Sequence, residues 1–151
     1  MTHLATLDRL FSEMPPVAAM QIRAAQFDGD CLRLAAPLAA NVNDKNCAFG
    51  GSLASLMTLA GWGWLMLKLR EAGIEAEVYV ADSSIRYLAP LYDDLTGEAR
   101  LREGQDWENI LRCLRERKRA RVAMRSEMSD AAGIPVATLE ARFALKFAAD
   151  R

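Results

Sequence analysis

The chain has 151 residues, 52% of them hydrophobic and 26% charged, which is the composition of one globular domain and excludes a disordered chain. Nineteen basic and twenty acidic residues leave a formal net charge of -1, so the chain as a whole has no electrostatic preference for nucleic acid. Three cysteines and one histidine show no disulfide or zinc-ligand spacing, and no metal or other cofactor is expected. The N-terminus lacks a signal-peptide profile, so we expect a reduced, cytoplasmic protein with one domain over residues 1–151.

The N-terminal segment predicts a helix followed by a β-hairpin. Apolar side chains recur at helical spacing from Leu4 to Met14, and the Pro15-Pro16 pair is predicted to end that helix. Residues 17–27 and 31–38 have extended patterns, and the Asp28-Gly29-Asp30 segment between them is a turn signal. The two strands are therefore predicted to pair with each other.

A nearly uncharged segment in the middle of the chain predicts a buried helix. A polar loop, residues 39–51, leads into an apolar helix over residues 52–72, which Gly73 ends. The uncharged run from Leu53 to Leu67 is shorter than the about 20 apolar residues that cross a bilayer. We therefore expect a helix that is apolar on every side because protein encloses it, and no contact with a membrane.

The C-terminal half predicts four strands and a short helix. The strands are expected over residues 74–88, 95–101, 119–128 and 134–147, and Asp106 is predicted to cap the helix between the second and the third. The last strand alternates apolar and polar residues, as a strand with one buried face does. This order predicts an α+β fold, a curved six-stranded, mostly antiparallel sheet wrapped around the apolar helix, with a second copy of the chain covering the remainder.

The loop before the apolar helix contains the residues best suited to chemistry. It reads NVNDKNCAFGGS over residues 41–52, and its Gly-Gly-Ser end opens the helix. A helix that begins on glycines presents unsatisfied backbone N–H groups, which stabilise an anion or a polarised carbonyl oxygen. The alternative is that Gly50 and Gly51 only shape a tight turn into the helix.

Two stretches, residues 41–63 and the segment from Ala81 to Pro90, resemble the hotdog-fold superfamily of acyl-thioester enzymes. More specifically, the chain resembles the thioesterase-like family named after the C-terminal domain of an acetyltransferase, in which this module can follow a GNAT domain. The resemblance covers most of the chain. It implies the hotdog fold, and a homodimer or a dimer of dimers with its active sites at the subunit interface.

The resemblance also implies roles for individual residues. In a large branch of hotdog thioesterases the loop reads Asn-x-x-Gly-x-x-His-Gly-Gly, and an acidic residue two turns into the helix acts as base or nucleophile. On this chain the pattern falls on Asn43, Asn46, Phe49, Gly50 and Gly51, and the helix acid falls on Thr58. The implied catalytic residues are Asn43 and Gly51, with Asn41 as the second candidate for the asparagine. Neither phenylalanine nor threonine acts as a general base near neutral pH.

The departures from that pattern favour a reaction that needs no base. Decarboxylation of a malonyl thioester requires only stabilisation of the enolate oxygen, and the family includes malonyl-acyl-carrier-protein decarboxylases that make acetyl thioester for fatty-acid synthesis. The resemblance implies that activity here. Hydrolysis of an acyl thioester is the alternative, with Asp44 or Asp82 reaching the site to activate water. A module that binds an acyl carrier without turnover is the third hypothesis.

Further residues are predicted to line or support the site. Cys47 is expected to pack or to hydrogen-bond, because no neighbouring histidine is available to activate its thiol. Asp82, Ser83 and Ser84 interrupt an apolar strand and either brace the loop, contact substrate or form a solvated face. The complete set of predicted binding or supporting residues is Asn46, Cys47, Phe49, Gly50, Ser52, Ser55, Thr58, Asp82, Ser83 and Ser84.

A basic run between Arg112 and Arg125 is the only strong local concentration of charge. Its candidate docking residues are Arg115, Arg117, Lys118, Arg119 and Arg121. Acyl carrier protein (ACP) is acidic and coenzyme A carries phosphates, so either could bind there. The alternative is a solvated helix end and strand face. Nucleic acid is disfavoured because no aromatic residues interleave with the basic ones.

Overall fold

The computed structural model of the protein describes residues 2–148. Its strands form one sheet in the order β1-β2-β4-β5-β6-β3, and each neighbouring pair is antiparallel. The strands are β1 Arg23–Phe27, β2 Leu32–Ala36, β3 Ala76–Tyr87, β4 Leu95–Leu101, β5 Arg119–Ser129 and β6 Pro135–Phe147. The helices are α1 His3–Ser12, α2 Pro15–Met20, α3 Gly50–Glu71 and α4 Trp107–Arg117, with a short 3-10 turn at Leu38–Ala40.

The long helix α3 lies in the concave face of the sheet. Leu56, Met57 and Leu65 are fully buried, because α3 packs against β2, β3, β4, β5 and β6. Phe143 on β6 closes over the helix at Gly61, where a Cβ would stand 3.0 Å from the phenyl ring. The α+β fold predicted from the pattern, a six-stranded antiparallel sheet wrapped around one apolar helix, is confirmed, as is the hotdog architecture that the resemblance implied. Among the described residues, no helix is long and apolar enough to cross a membrane.

Short-range patterns predicted the C-terminal elements closely. From Ala137 to Leu145 the buried residues of β6 alternate with less buried ones, and β4 has the predicted bounds Leu95–Leu101. The Asp106 side chain accepts a hydrogen bond from the backbone N–H of Glu108 at 3.0 Å, as an N-cap does.

The prediction for the segment after α1 was wrong. Pro15 and Pro16 do not lead into a strand at residue 17; they begin the second helix, α2, and β1 begins only at Arg23. Proline suits the first turn of a helix, because its φ is already helical and the missing N–H would have no intrahelical acceptor. The same two residues that end α1 therefore start α2.

A buried hydroxyl joins α3 to the sheet. Ser126 on β5 is 1% exposed, and its Oγ donates a 2.8 Å hydrogen bond to the carbonyl oxygen of Met57. We predict that Ser126→Ala lowers the free energy of unfolding by about 1 kcal/mol, the usual net value of such a bond. Ser84→Ala, on the exposed face of β3, is the matched control and should change it by less than about 0.5 kcal/mol. Equal denaturant midpoints for the two variants would contradict the role given to Ser126.

One edge of the sheet and one stripe of α3 remain uncovered. Strand β3 pairs only with β6, and its Tyr79, Val80 and Tyr87 side chains are about half exposed. Beside this edge the α3 residues Ala54, Ser55, Thr58 and Leu59 are only partly buried. An open twelve-residue strand next to a partly exposed apolar helix stripe is suited to pairing with another strand.

Candidate active site

The loop before α3 is held together by the side chain of Asn43. Its Oδ1 accepts hydrogen bonds from the backbone N–H groups of Lys45 at 2.8 Å and Cys47 at 3.2 Å. The backbone N–H of Asn43 donates to the Cys47 carbonyl at 2.8 Å, and Val42 and Ala48 form an isolated antiparallel bridge. The side-chain oxygen of Asn43 therefore has a structural task, which leaves the amide nitrogen for chemistry.

The amide nitrogen of Asn43 is only partly engaged. Its Nδ2 lies 3.2 Å from Sγ of the buried Cys47, a weak acceptor, and within residues 2–148 the second N–H has no acceptor. Asn43 itself is half-buried. Cys47 thus orients the amide of Asn43. This contact agrees with the packing or hydrogen-bonding role that the sequence predicted for Cys47.

Asn46 occupies the position at which the hotdog pattern has its first glycine. Its φ is 65°, in the left-handed region that glycine tolerates best and asparagine better than most other residues. Asparagine in place of the pattern's glycine therefore preserves the loop conformation. The side chain of Asn46 is exposed and forms no hydrogen bond within the described residues.

We predict that Asn46→Gly leaves the protein as stable or more stable, by up to about 1 kcal/mol, whereas Asn46→Ala destabilises it by about 1 kcal/mol. The two variants differ only in their tolerance of positive φ. Denaturant unfolding of both, compared with wild type, measures the effect. An alanine variant as stable as the glycine variant would show that the loop does not need this conformation.

The N-terminus of α3 presents two free donors. Phe49 is the N-cap residue and makes no side-chain capping bond, while its carbonyl accepts from Ser52 at 2.9 Å and Leu53 at 3.1 Å. Within the described chain, the N–H groups of Gly50 and Gly51 have no acceptor. The phenyl ring of Phe49 lies so close to Gly51 that a Cβ there would overlap it. These two N–H groups can stabilise a developing negative charge on oxygen.

Tyr87, at the end of β3, borders the same helix end. Its hydroxyl donates to the Gly50 carbonyl oxygen at 3.3 Å, and its ring would be 3.5 Å from a Cβ at Gly50. A cleft of about 340 Å³ opens here, lined by Cys47, Ala48, Gly50, Leu53, Tyr87, Leu88, Ala89, Pro90 and Leu91. Sequence reasoning did not single out Tyr87 as a site residue. The sequence signal that could have found Tyr87 is the alternation along β3, which places it on the same, helix-facing side as Ser83 and Ile85.

A second groove of about 360 Å³ runs along α3 beside the open edge of β3. It is lined by Pro16, Val17, Met20, Ala54, Ser55, Thr58, Leu59, Ser83 and Ile85. The hydroxyl of Thr58 donates to the Ala54 carbonyl at 2.8 Å, so it is directed back along the helix. Among residues 2–148, no carboxylate or imidazole lines this groove or the cleft at Gly50. Ser55, Thr58 and Ser83 are brought together here, as hydroxyls on an otherwise apolar wall.

The side-chain amide of Asn41, the second candidate asparagine, is used in structural hydrogen bonds. It is 3% exposed, and its Nδ2 donates to the carbonyls of Met20 at 2.9 Å and Pro37 at 2.8 Å. Its Oδ1 is buried and has no partner within the described residues. Both amide hydrogens are therefore committed to joining α2 to the loop, and the geometry favours Asn43 for a reacting group.

Neither of the two acidic candidates lines the cleft at Gly50 or the groove along α3. Asp44 is 80% exposed and pairs with Lys45 at 3.0 Å. Asp82 lies on the outer face of the sheet, where Arg142 binds its carboxylate and holds the pKa of that group below its usual value. Of the three alternatives for Asp82, this ion pair fits the solvated face, since strand register sets Asp82 opposite Arg142. Ser84 is exposed on the same strand, and Ser52 is buried in the first turn of α3.

Neither a metal-ligand cluster nor a readily ionised Cys31 thiol lies among the described residues. Residues 2–148 contain no group of three or more His, Cys, Asp and Glu side chains that could hold a metal ion. Burial, with the neighbouring Glu98 carboxylate, raises the pKa of the Cys31 thiol to about 11, which disfavours a thiolate.

The curved sheet, the enclosed helix and the uncapped Gly-Gly N-terminus define a hotdog domain of the thioesterase class. Residues 4–147 match the family described as "Putative thioesterase (yiiD_Cterm)", and the chain belongs to this family.

Solved structures have the same fold over nearly the whole chain. A protein of unknown function from Chlorobaculum tepidum is 27% identical, with a TM-score of 0.90 over 95% of this chain and 94% of that one. A "putative thioesterase" from Shewanella oneidensis is also 27% identical, with a TM-score of 0.86 over 97% and 98% of the two chains. A "probable thioesterase" from Pseudomonas aeruginosa shares the fold at 23% identity, a TM-score of 0.81 and 95% coverage of each chain.

Proposed function

We propose that this protein decarboxylates a malonyl thioester, carried by ACP or coenzyme A, to the acetyl thioester. The observation that carries the proposal is a set of N–H donors without a base. The Gly50 and Gly51 backbone groups and the Asn43 amide belong to one segment, of which Gly50 lines the cleft at Tyr87. Among residues 2–148, no carboxylate or imidazole lines that cleft or the groove along α3.

The reaction needs little more than these donors. The bond between the malonyl carboxylate and the methylene carbon breaks, CO2 leaves, and the electron pair forms an enolate whose charge lies on the thioester oxygen. Amide N–H groups stabilise that oxygen, and one such donor is typically worth about 3 kcal/mol. Apolar walls such as Leu53, Leu88 and Leu91 weaken the hydration of the carboxylate. A proton from water then completes the acetyl group.

Hydrolysis is the second candidate, and membership of a thioesterase family favours it. It requires a group that activates water, and residues 2–148 supply none to either cavity lining. The free N–H pair would still polarise a thioester carbonyl, so slow hydrolysis is compatible with the same site. The third candidate is a module that binds an acyl carrier through the same N–H donors without turnover.

The site is proposed to be completed in a homodimer. Antiparallel pairing of two β3 edges would extend the sheet and cover the exposed Tyr79, Val80 and Tyr87 side chains. It would also close the groove along α3, which now opens beside that edge. The sheet edge and the helix stripe support this arrangement because both lie on the same side of the molecule.

Mass spectrometry of malonyl-ACP incubated with the purified protein tests the proposal, with malonyl-CoA and a series of acyl-CoAs in parallel. Loss of one CO2 with the thioester intact is the expected result. Release of the free carrier thiol would instead establish hydrolysis, and tight binding with neither product would establish a binding module.

A further inference from the structure

The arginines on the outer face of the sheet are of two kinds. Those in its middle are paired with carboxylates across the strands, as Arg102 is with Glu140 at 3.4 Å and Arg125 with Glu140 at 2.5 Å. Arg33 is likewise paired with Glu98, and Arg142 with Asp82. These pairs follow from strand register, and they neutralise most of the outer face.

A second group of cations has no such partners. We name it the cationic corner: Arg115, Arg117, Lys118, Arg119, Arg121 and Lys146. All six are exposed, and among the described residues none forms an ion pair with a carboxylate. Glu116 lies within the corner, and Glu77 lies opposite Lys146 in the strand register. The corner therefore keeps a net positive charge in a chain whose formal net charge is -1.

Folding assembles the corner from three elements. Arg115 and Arg117 are in the last turn of α4, Lys118 caps that helix, and Arg119 begins β5 directly opposite Lys146 of β6. Cations on one strand face repeat at about 7 Å, a spacing suited to several carboxylates on a protein surface. A single phosphate group would engage only those side chains that converge on it. The arrangement favours an acidic protein as the partner.

The corner is remote from the active site of its own subunit. It adjoins the beginning of β3, since Glu77 is opposite Lys146, whereas Gly50 adjoins Tyr87 at the end of that strand. Twelve residues of β3 separate the two ends by about 36 Å. When two β3 strands pair antiparallel about their centres, the corner of one subunit comes near the active site of the other. The beginning of one β3 then lies beside the end of the other, and adjacent strands are about 4.8 Å apart.

We infer that an acidic carrier protein docks on the cationic corner of one subunit and delivers its acyl group to the active site of the other. This inference rests on the proposed function and on the β3-paired dimer. Lys146 of one copy would stand one strand in from the interface, close to Tyr87 and Gly50 of the second copy. Each site would then use donors from one chain and a docking surface from its partner.

A binding titration tests the docking surface without any turnover. Holo-ACP without an acyl group is titrated into the full chain and into the triple variant Arg115→Gln/Arg119→Gln/Arg121→Gln. The variant is expected to bind at least about tenfold more weakly. The matched control, Arg23→Gln/Arg33→Gln/Arg100→Gln, removes the same charge from β1, β2 and β4, on the side of the sheet away from β3, and should bind within about twofold of wild type. Equal binding by both variants overturns the inference, whether or not malonyl-ACP proves to be decarboxylated.

The kinetics separate a protein partner from coenzyme A. In the corner variant, kcat/KM for malonyl-ACP is expected to fall at least about tenfold relative to kcat/KM for malonyl-CoA. Equal losses on the two substrates would show that the corner binds a group common to both, and would overturn the assignment to a carrier protein. Absence of turnover by wild type on either substrate would refute the proposed function and leave the binding titration to decide the docking surface.

A mixed dimer tests delivery between subunits. The corner variant, whose site is intact, is co-expressed with Asn43→Asp, whose corner is intact. Delivery across the interface predicts about a quarter of the wild-type rate on malonyl-ACP, because half of the dimers are mixed and each has one competent site. Activity no greater than the sum of the two separate variants would overturn delivery in trans.

Discussion

Asn43→Asp is expected to slow decarboxylation of a malonyl thioester by about 100-fold to 1,000-fold, the usual effect of removing one oxyanion donor. The carboxylate keeps the oxygen that accepts from Lys45 and Cys47 in the loop. It lacks the Nδ2 hydrogens that are proposed to bind the enolate oxygen. The rate is measured by mass spectrometry of the acyl group under single-turnover conditions.

Asn43→Ala provides the structural counterpart. It should lose activity to a similar extent and also lower the free energy of unfolding by about 1–2 kcal/mol, because two backbone N–H groups lose their acceptor. The aspartate variant should remain close to wild type in stability. Wild-type turnover by Asn43→Asp would exclude the amide as a donor and leave the Gly50 and Gly51 backbone groups as the only ones.

Thr58→Asp is expected to raise hydrolysis of an acyl thioester by about 100-fold or more, the contribution of a positioned general base. Thr58 lies in the groove along α3, and the resemblance to hotdog thioesterases implies an acid at this helix position. A carboxylate there would supply the water-activating group that neither cavity contains. The product should shift from acetyl thioester towards free acid and free thiol.

Thr58→Asn controls for the change in shape and polarity, because it is nearly isosteric with aspartate and does not titrate. Thermal unfolding of both variants reports the cost of a polar group in the half-buried groove. If the two variants hydrolyse the thioester at the same rate, the groove along α3 is not where the thioester carbonyl lies.

Much of the fold could be predicted because it depends on short-range patterns. Alternation along β6, the Asp106 cap and the uncharged run of α3 follow from side-chain direction and hydrogen bonding within a few residues. The Gly-Gly-Ser segment indicated the donor site for the same reason, since backbone N–H groups at a helix start need no distant partner. The local sequence around Pro15-Pro16 did not distinguish the end of one helix from the start of the next, because prolines are compatible with both.

The sequence by itself thus determined most of the strand and helix pattern, the N–H pair at the start of α3 and the lack of a carboxylate over residues 52–68. Only the tertiary structure decided that Tyr87 borders Gly50, that Asp82 faces Arg142, and which arginines remain unpaired. Arg125 belongs to the basic run yet is neutralised by Glu140, whereas Lys146, more than twenty residues away, completes the cationic corner. These outcomes depend on strand order and register, which bring together residues far apart in the chain and are not encoded by local spacing.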